Sequence, residues 1–279
     1  MTQIEERPAT VTTFESLNPV TGDVAGTHPV HSAAEVEATV ARAREAATWW
    51  SALSYDERET HLSTWKGVVT RRLAQLADVM HQETGKPHGD AMLEAALAID
   101  HLAWAAGHAE KVLKRRRVPS GLLMANQAAS VEYRPLGVVG VIGPWNYPVF
   151  TPMGSIAYAL AAGNAVVFKP SEYTPGVGEW LAQTFLESVG RPVLQVVTGF
   201  GDTGAALCRA GVDKIAFTGS TEVGKIIMRS LAGTDKKMTL ELGGKAANIV
   251  FDDAPIDQAV EGIVNGIFFN QGHVCCAGS

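Results

Sequence analysis

Cysteine is scarce in this chain, three in 279 residues with two of them adjacent. No C-x-x-C pair occurs, which excludes a disulfide framework and a paired-thiolate zinc site, and the expected setting is reducing and cytoplasmic. Positive charge is in deficit: 23 Lys and Arg stand against 29 Asp and Glu for a formal charge of −6. A general pull on nucleic acid or an anionic membrane is therefore not expected. The one basic cluster, Lys114-Arg115-Arg116-Arg117, reads as a solvated helix end, where cations complement the dipole. Long apolar runs are missing, since stretches such as residues 136–145 are broken by glycine well short of the roughly 18 residues a bilayer span needs. The first 16 residues are polar and acidic without an apolar core, so no secretory signal is expected. Internal repeats and low-complexity tracts are absent. With 46% apolar and 19% charged residues, what remains has the composition of an ordinary globular protein, long enough for one large domain or two smaller ones.

The texture changes partway along. Residues 33–113 are rich in Ala, Glu, Leu and Arg at helical spacing, with stripes such as Val36, Val40, Ala43 and Leu73, Leu76, Ala77, Met80. Gly85 and Pro87 end one long helix there, and a new one is predicted from near Asp90. After Val131, short β-branched runs alternate with helical stretches. Residues 138–142, 165–168, 194–197, 215–217 and 247–251 read as buried strands, and residues 178–188, 222–231 and 256–269 as helices. Such alternation predicts an α/β fold with a Rossmann-like parallel sheet, because parallel neighbours need helix-length crossovers. Residues 125–133, alternating and flanked by Gly121 and Pro135, read as a protruding strand.

Two glycine motifs compete for a phosphate. Gly199-Phe200-Gly201-Asp202-Thr203-Gly204 fits G-x-G-x-x-G between a strand and a helix. Phe217-Thr218-Gly219-Ser220-Thr221-Glu222-Val223-Gly224 also joins a strand to a helix N-terminus, where free N–H groups favour an anion. Either one alone fits a plain tight turn. At the end of another strand, Lys169 and Glu172 can grip vicinal hydroxyls, one donating and one accepting.

Gly143-Pro144-Trp145-Asn146, Leu240-Glu241-Leu242-Gly243-Gly244-Lys245 and Gly272-His273-Val274-Cys275-Cys276-Ala277 follow one another in that order. They supply an amide donor, a carboxylate and a thiol, and the set resembles the aldehyde dehydrogenase superfamily from about Ser16 to Ser279. The resemblance implies Cys275 as nucleophile, three residues after Gly272, with Cys276 as a bystander. It implies Glu241 as the base and Asn146, with the Cys275 backbone N–H, as oxyanion donor. It places Trp145, Lys169, Ser171, Glu172, Gly201, Phe217, Gly219, Ser220, Gly224 and Leu242 around the cofactor, Lys169 and Glu172 on the adenosine ribose and Ser220 on the phosphate. A carboxylate near the 2′-oxygen favours NAD, while Ser171 and Lys169 leave NADP open. The implied substrate is a small-molecule aldehyde, and Glu241 favours a free acid over a CoA ester as product. Two positions depart from the family pattern: His273 stands in place of a Gln and Ser155 where many relatives carry a Lys.

The resemblance further implies a domain plan: a flexible tail over residues 1–15, a cofactor-binding domain over 16–244 with an oligomerisation hairpin near 118–134, and the start of a catalytic domain over 245–279. The rest of that catalytic domain, with the family's Glu-x-Phe-Gly-Pro element and a subunit-pairing strand, lies beyond the sequence. A homo-oligomer is expected of a full-length form. The alternative, from another functional class, is a catalytically silent fragment that at most binds nucleotide.

Overall fold

The computed structural model describes residues 12–279. A β1 (Thr13–Leu17) and β2 (Val24–Pro29) hairpin opens the chain. The strand thus begins inside the stretch expected to be a tail, because Thr13 to Ser16 pair along β2; the rest of that expectation, residues 1–11, lies outside the described residues.

Four helices follow: α1 (Ala33–Ala52), α2 (Tyr55–Arg71), α3 (Leu73–Thr84) and α4 (His88–Leu113). The first two start at reciprocal caps, Ser32 with Glu35 and Ser54 with Glu57, which satisfy otherwise orphaned N–H groups. Gly85 ends α3 in the left-handed conformation at φ 68°, and Pro87 precedes α4. The β3 (Arg116–Val118) and β4 (Ala129–Val131) hairpin comes next. The strand expected over residues 125–133 is only three residues long, because Leu122–Met124 and the Gln127 N–H to Met124 carbonyl bond spend the approach on turns. The basic cluster is divided: Lys114 caps α4 and Arg116 and Arg117 enter β3.

The remainder is doubly wound. It runs β5 (Val138–Ile142), α5 (Phe150–Ala161), β6 (Ala165–Lys169), α6 (Pro175–Val189), β7 (Leu194–Val196), α7 (Gly201–Arg209), β8 (Lys214–Gly219), α8 (Thr221–Leu231) and β9 (Lys237–Leu242). The five strands are parallel in the order β7-β6-β5-β8-β9. Right-handed crossovers in opposite directions put α5 and α6 on one face and α7 and α8 on the other. The direction reverses between β5 and β8, and a crevice opens there beyond the strand ends. Residues of β5 and β6 are buried throughout, which explains why neither alternates apolar with polar positions.

The helical layer caps the sheet layer. Neither α5 nor α6 has a side-chain cap of its own. Glu94 of α4 accepts from the Val149 and Phe150 N–H groups at 2.8 and 3.1 Å, and Glu83 of α3 accepts from Gly176 and Val177 at 2.9 and 3.1 Å. Burial nonetheless raises the Glu83 carboxyl above the usual range, the backbone bonds opposing it.

After β9 the chain leaves the sheet. Residues 247–251, expected as a strand, form none: the nearest partner is the chain end, which makes one bridge, Ala246 with Gly278. Ile249 and Phe251 are exposed as a result. The α9 helix (Ile256–Phe268) and a short turn, Phe269–Gly272, lead to the last residues.

Among the described residues no helix is long and apolar enough to cross a membrane, and no group of three or more His, Cys, Asp or Glu could hold a metal ion.

Candidate active site

A cavity of about 650 Å³ occupies the crevice. Its walls bring together Trp145 and Asn146 after β5, Lys169, Ser171 and Glu172 after β6, Phe217, Gly219 and Ser220 at the end of β8, Leu242 of β9, Gly201 of α7 and Cys275. The ends of β5, β6, β8 and β9, the start of α7 and the segment after the Phe269–Gly272 turn supply them, so the fold gathers residues up to 130 positions apart (145 to 275). A larger hollow of about 810 Å³ near Arg44, Arg58 and Arg134 lies by the strand starts and holds none of these groups.

Both glycine motifs border the cavity, in different ways. In the first, the Thr203 hydroxyl donates to the His31 carbonyl at 3.0 Å, so the β2–α1 connection leans on the opening turn of α7. In the second, Ser220 is the N-cap of α8, its hydroxyl accepting from the Val223 N–H at 3.2 Å, beside the crevice between β5 and β8. The glycines there are required by packing. A Cβ on Gly219 would sit 2.5 Å from the Phe217 ring of the same strand, and one on Gly224 would sit 2.7 Å from a Leu242 methyl of β9, so a larger residue at either would push a neighbouring side chain aside. Gly224 therefore acts behind the cavity wall rather than in it.

Lys169 is 4% exposed, and burial lowers its pKa, an effect that Glu172 at 3.5 Å opposes. The Ser171 hydroxyl reaches the same carboxylate at 3.4 Å. Val223 and Ile226 add an apolar side to the cavity, a contribution read in the sequence only as helix. The sequence signal for them is two apolar residues beside, rather than on, the buried Gly224, Ile227, Leu231 stripe of α8.

At the other end Asn146 donates from Nδ2 to the His273 carbonyl at 2.5 Å. An amide nitrogen carries two N–H groups, so one remains for another acceptor. His273 packs edge-on against Trp145, ring centroids 4.8 Å apart, which gives it a packing role. The Gly244 N–H donates to the Cys275 carbonyl at 3.2 Å, joining the segment after β9 to the thiol segment. Glu241 is not brought into the wall: on β9 it alternates with the half-buried Leu240 and Leu242, and its side chain is exposed. Strand β9 is not among the strands read from the sequence. Cys275 is exposed, yet desolvation and then the neighbouring Cys276 push its thiol pKa up. Among the described residues no cation contributes to the shift, and a positive charge would act the other way.

A parallel, doubly wound sheet with a glycine-lined crevice at its switch point defines a dinucleotide-binding class of protein. Within that class the match is specific. The model of the aldehyde dehydrogenase family matches residues 6–279, and the chain belongs to this family. DhaS of Bacillus subtilis (strain 168) is 39% identical over 274 residues, covering 96% of this chain and 54% of that protein. The crystal structure of an E. coli NADP dependent enzyme superposes with a TM-score of 0.90 at 36% identity, over 95% of this chain and 55% of that one. The NAD+ complex of an aldehyde dehydrogenase from Bacillus cereus gives 0.89 at 34% identity, over 95% and 54%. The chain thus spans about half the length of the relatives it matches.

Proposed function

We propose that this chain carries the cofactor side and the nucleophile of an enzyme that oxidises an aldehyde to a carboxylic acid with NAD, NADP remaining open. The observation that supports this best is the meeting of Asn146, Cys275, Ser220 and the Lys169–Glu172 pair around one cavity. Ser220 and the α8 N-terminus offer donors to a phosphate, and Lys169 with Glu172 offers a donor and an acceptor to ribose hydroxyls. Trp145, Leu242 and the region of Gly201 complete the walls. Bound there, the nicotinamide cofactor supplies the hydride acceptor.

The chain's own residues do the rest. The Cys275 sulfur, once deprotonated, adds to the aldehyde carbon, and the C=O electrons go to oxygen, where the free Asn146 N–H and the Cys275 backbone N–H stabilise the charge. Loss of hydride from that carbon leaves a thioester. Water then attacks it, Glu241 taking the proton, and the acid leaves as the thiolate reforms. The exposed position of Glu241 outside the cavity wall means that this role requires its side chain to turn toward Cys275. We read residues 16–244 as the cofactor domain and 245–279 as the beginning of a catalytic one. The β3–β4 hairpin, whose tip exposes Leu122 and Leu123 at 92% and 94%, fits contact with a second copy.

The test is NADH formation from an aldehyde. In a form extended to the length of the relatives, Cys275→Ala lowers turnover by more than about a thousandfold and Cys276→Ala leaves most of it. Equal losses refute a single nucleophile. The 279-residue chain alone, where α9 buries no residue, is expected to bind NAD weakly without turnover. Brisk NADH formation by it rejects the silent reading.

A further inference from the structure

Lys86, in the turn between α3 and α4, and Glu94 of α4 form a buried charge pair that no step above uses. Lys86 and Glu94 are each 1% exposed, with Nζ 2.5 Å from Oε2. Burying two charges is costly unless every remaining donor and acceptor is used, and here each has a second partner. Lys86 Nζ also donates to the Asn146 carbonyl at 2.9 Å, and the other Glu94 oxygen holds the Val149 and Phe150 N–H groups at the start of α5. The pair therefore grips both ends of the short connection from Asn146 into α5.

The nucleophile segment meets the same point. Asn270, 2% exposed, donates from Nδ2 to the Asn146 carbonyl at 3.0 Å, and Gln271 Nε2 reaches the Gly85 carbonyl at 3.3 Å. Both residues are held left-handed, at φ 50° and 59°, a conformation tolerated where surroundings enforce it. One carbonyl, that of Asn146, thus receives a donor from the helical layer and another from the strained turn five residues before Cys275.

We infer that the Lys86–Glu94 pair is a positioning device that fixes the Asn146 backbone, and through it the Asn146 amide, relative to Cys275. Lys86 and Glu94 touch no reacting atom; they set the distance between the oxyanion donor and the sulfur. The inference rests on the roles proposed above for Asn146 and Cys275.

Two reagents separate positioning from stability. Acylation of Cys275 by 4-nitrophenyl acetate passes through an oxyanion, whereas its alkylation by iodoacetamide is a displacement at saturated carbon that builds no carbonyl oxyanion. Both adducts on the 279-residue chain are followed by peptide mass spectrometry, with thermal unfolding as the check of folding. Lys86→Met is expected to slow acylation about tenfold while alkylation stays within about twofold, the size of a misplaced rather than deleted donor. Because Lys86→Met strands a buried carboxylate, the double variant Lys86→Met/Glu94→Gln removes both charges and keeps an amide oxygen for the Val149 and Phe150 N–H groups. It is expected to show the same split. Unchanged acylation in a folded variant, parallel loss of both reactions, or failure of both variants to fold overturns the inference alone. Acylation of the parent chain that does not occur at Cys275 overturns the proposed nucleophile, and this inference with it.

Discussion

Strand β6 and helix α9 both present apolar side chains in register and end in opposite conditions. Every residue of β6 is buried, Phe168 at 1% exposure, whereas α9 buries none and shows Ile256, Val260, Val264 and Phe268 at 62%, 54%, 46% and 67%. The four fall at i, i+4 spacing, a continuous stripe along one side of the helix. A stripe states that a face is fit for burial, and burial happens only if a second layer meets it. Around β6 that layer is supplied by α1, α5 and the neighbouring strands; among the described residues nothing buries the Ile256–Phe268 stripe of α9. The cofactor wall is therefore set in a self-sufficient core, while the thiol segment is attached to it by a few named bonds, chiefly Asn146 to His273, Asn270 to Asn146 and Gly244 to Cys275.

The sharpest way to break this contrast is to truncate one phenylalanine on each side. Phe168→Ala is expected to cost about 3–5 kcal/mol in denaturant unfolding, from lost transfer energy and the cavity left behind. Phe268→Ala is expected to change stability by less than about 0.5 kcal/mol; comparable losses would mean that α9 is packed after all. Next in size, Glu241→Gln in an extended form should slow acid release about a hundredfold, with acyl-enzyme accumulating on Cys275. No adduct together with unchanged turnover would remove Glu241 from the mechanism.

The smallest effect concerns the thiol. The iodoacetamide rate at Cys275 in the 279-residue chain should keep rising beyond pH 9, the thiol's ordinary value, because burial and Cys276 raise its pKa and only the thiolate reacts. A plateau near pH 7 would reveal a positive field at the thiol that the surroundings described here do not contain.

Much of the sheet was legible. Strands β5 and β6 and helices α8 and α9 fall within a residue or two of expectation, because buried parallel strands are short runs rich in β-branched residues and the two helices begin at recognisable starts, Ser220 and Pro255. The miss at β9 and the false strand over 247–251 have one cause. A strand is defined by its neighbour: Lys237–Leu242 has β8 beside it despite its charges, and the more apolar run after it has only a bridge. The N-terminal hairpin escaped for the same reason, its partner residues being polar.

For the site, Asn146, Glu241 and Cys275 were singled out by a family resemblance that rests on the order and chemistry of their motifs, which travel with the chain. The sequence also carried the choice between the two glycine motifs no further than a resemblance. Only the tertiary structure decided that Val223 and Ile226 face the same cavity as Lys169, that Glu241 stands outside its wall, and that Glu83 and Glu94 of the helical layer cap α6 and α5. Those facts depend on which elements lie side by side. Local sequence fixes periodicity and caps within a few residues, but the partner of a buried charge or an orphan N–H is chosen by the packing of segments 50 or more positions apart, as in Glu94 with Val149, 55 residues on.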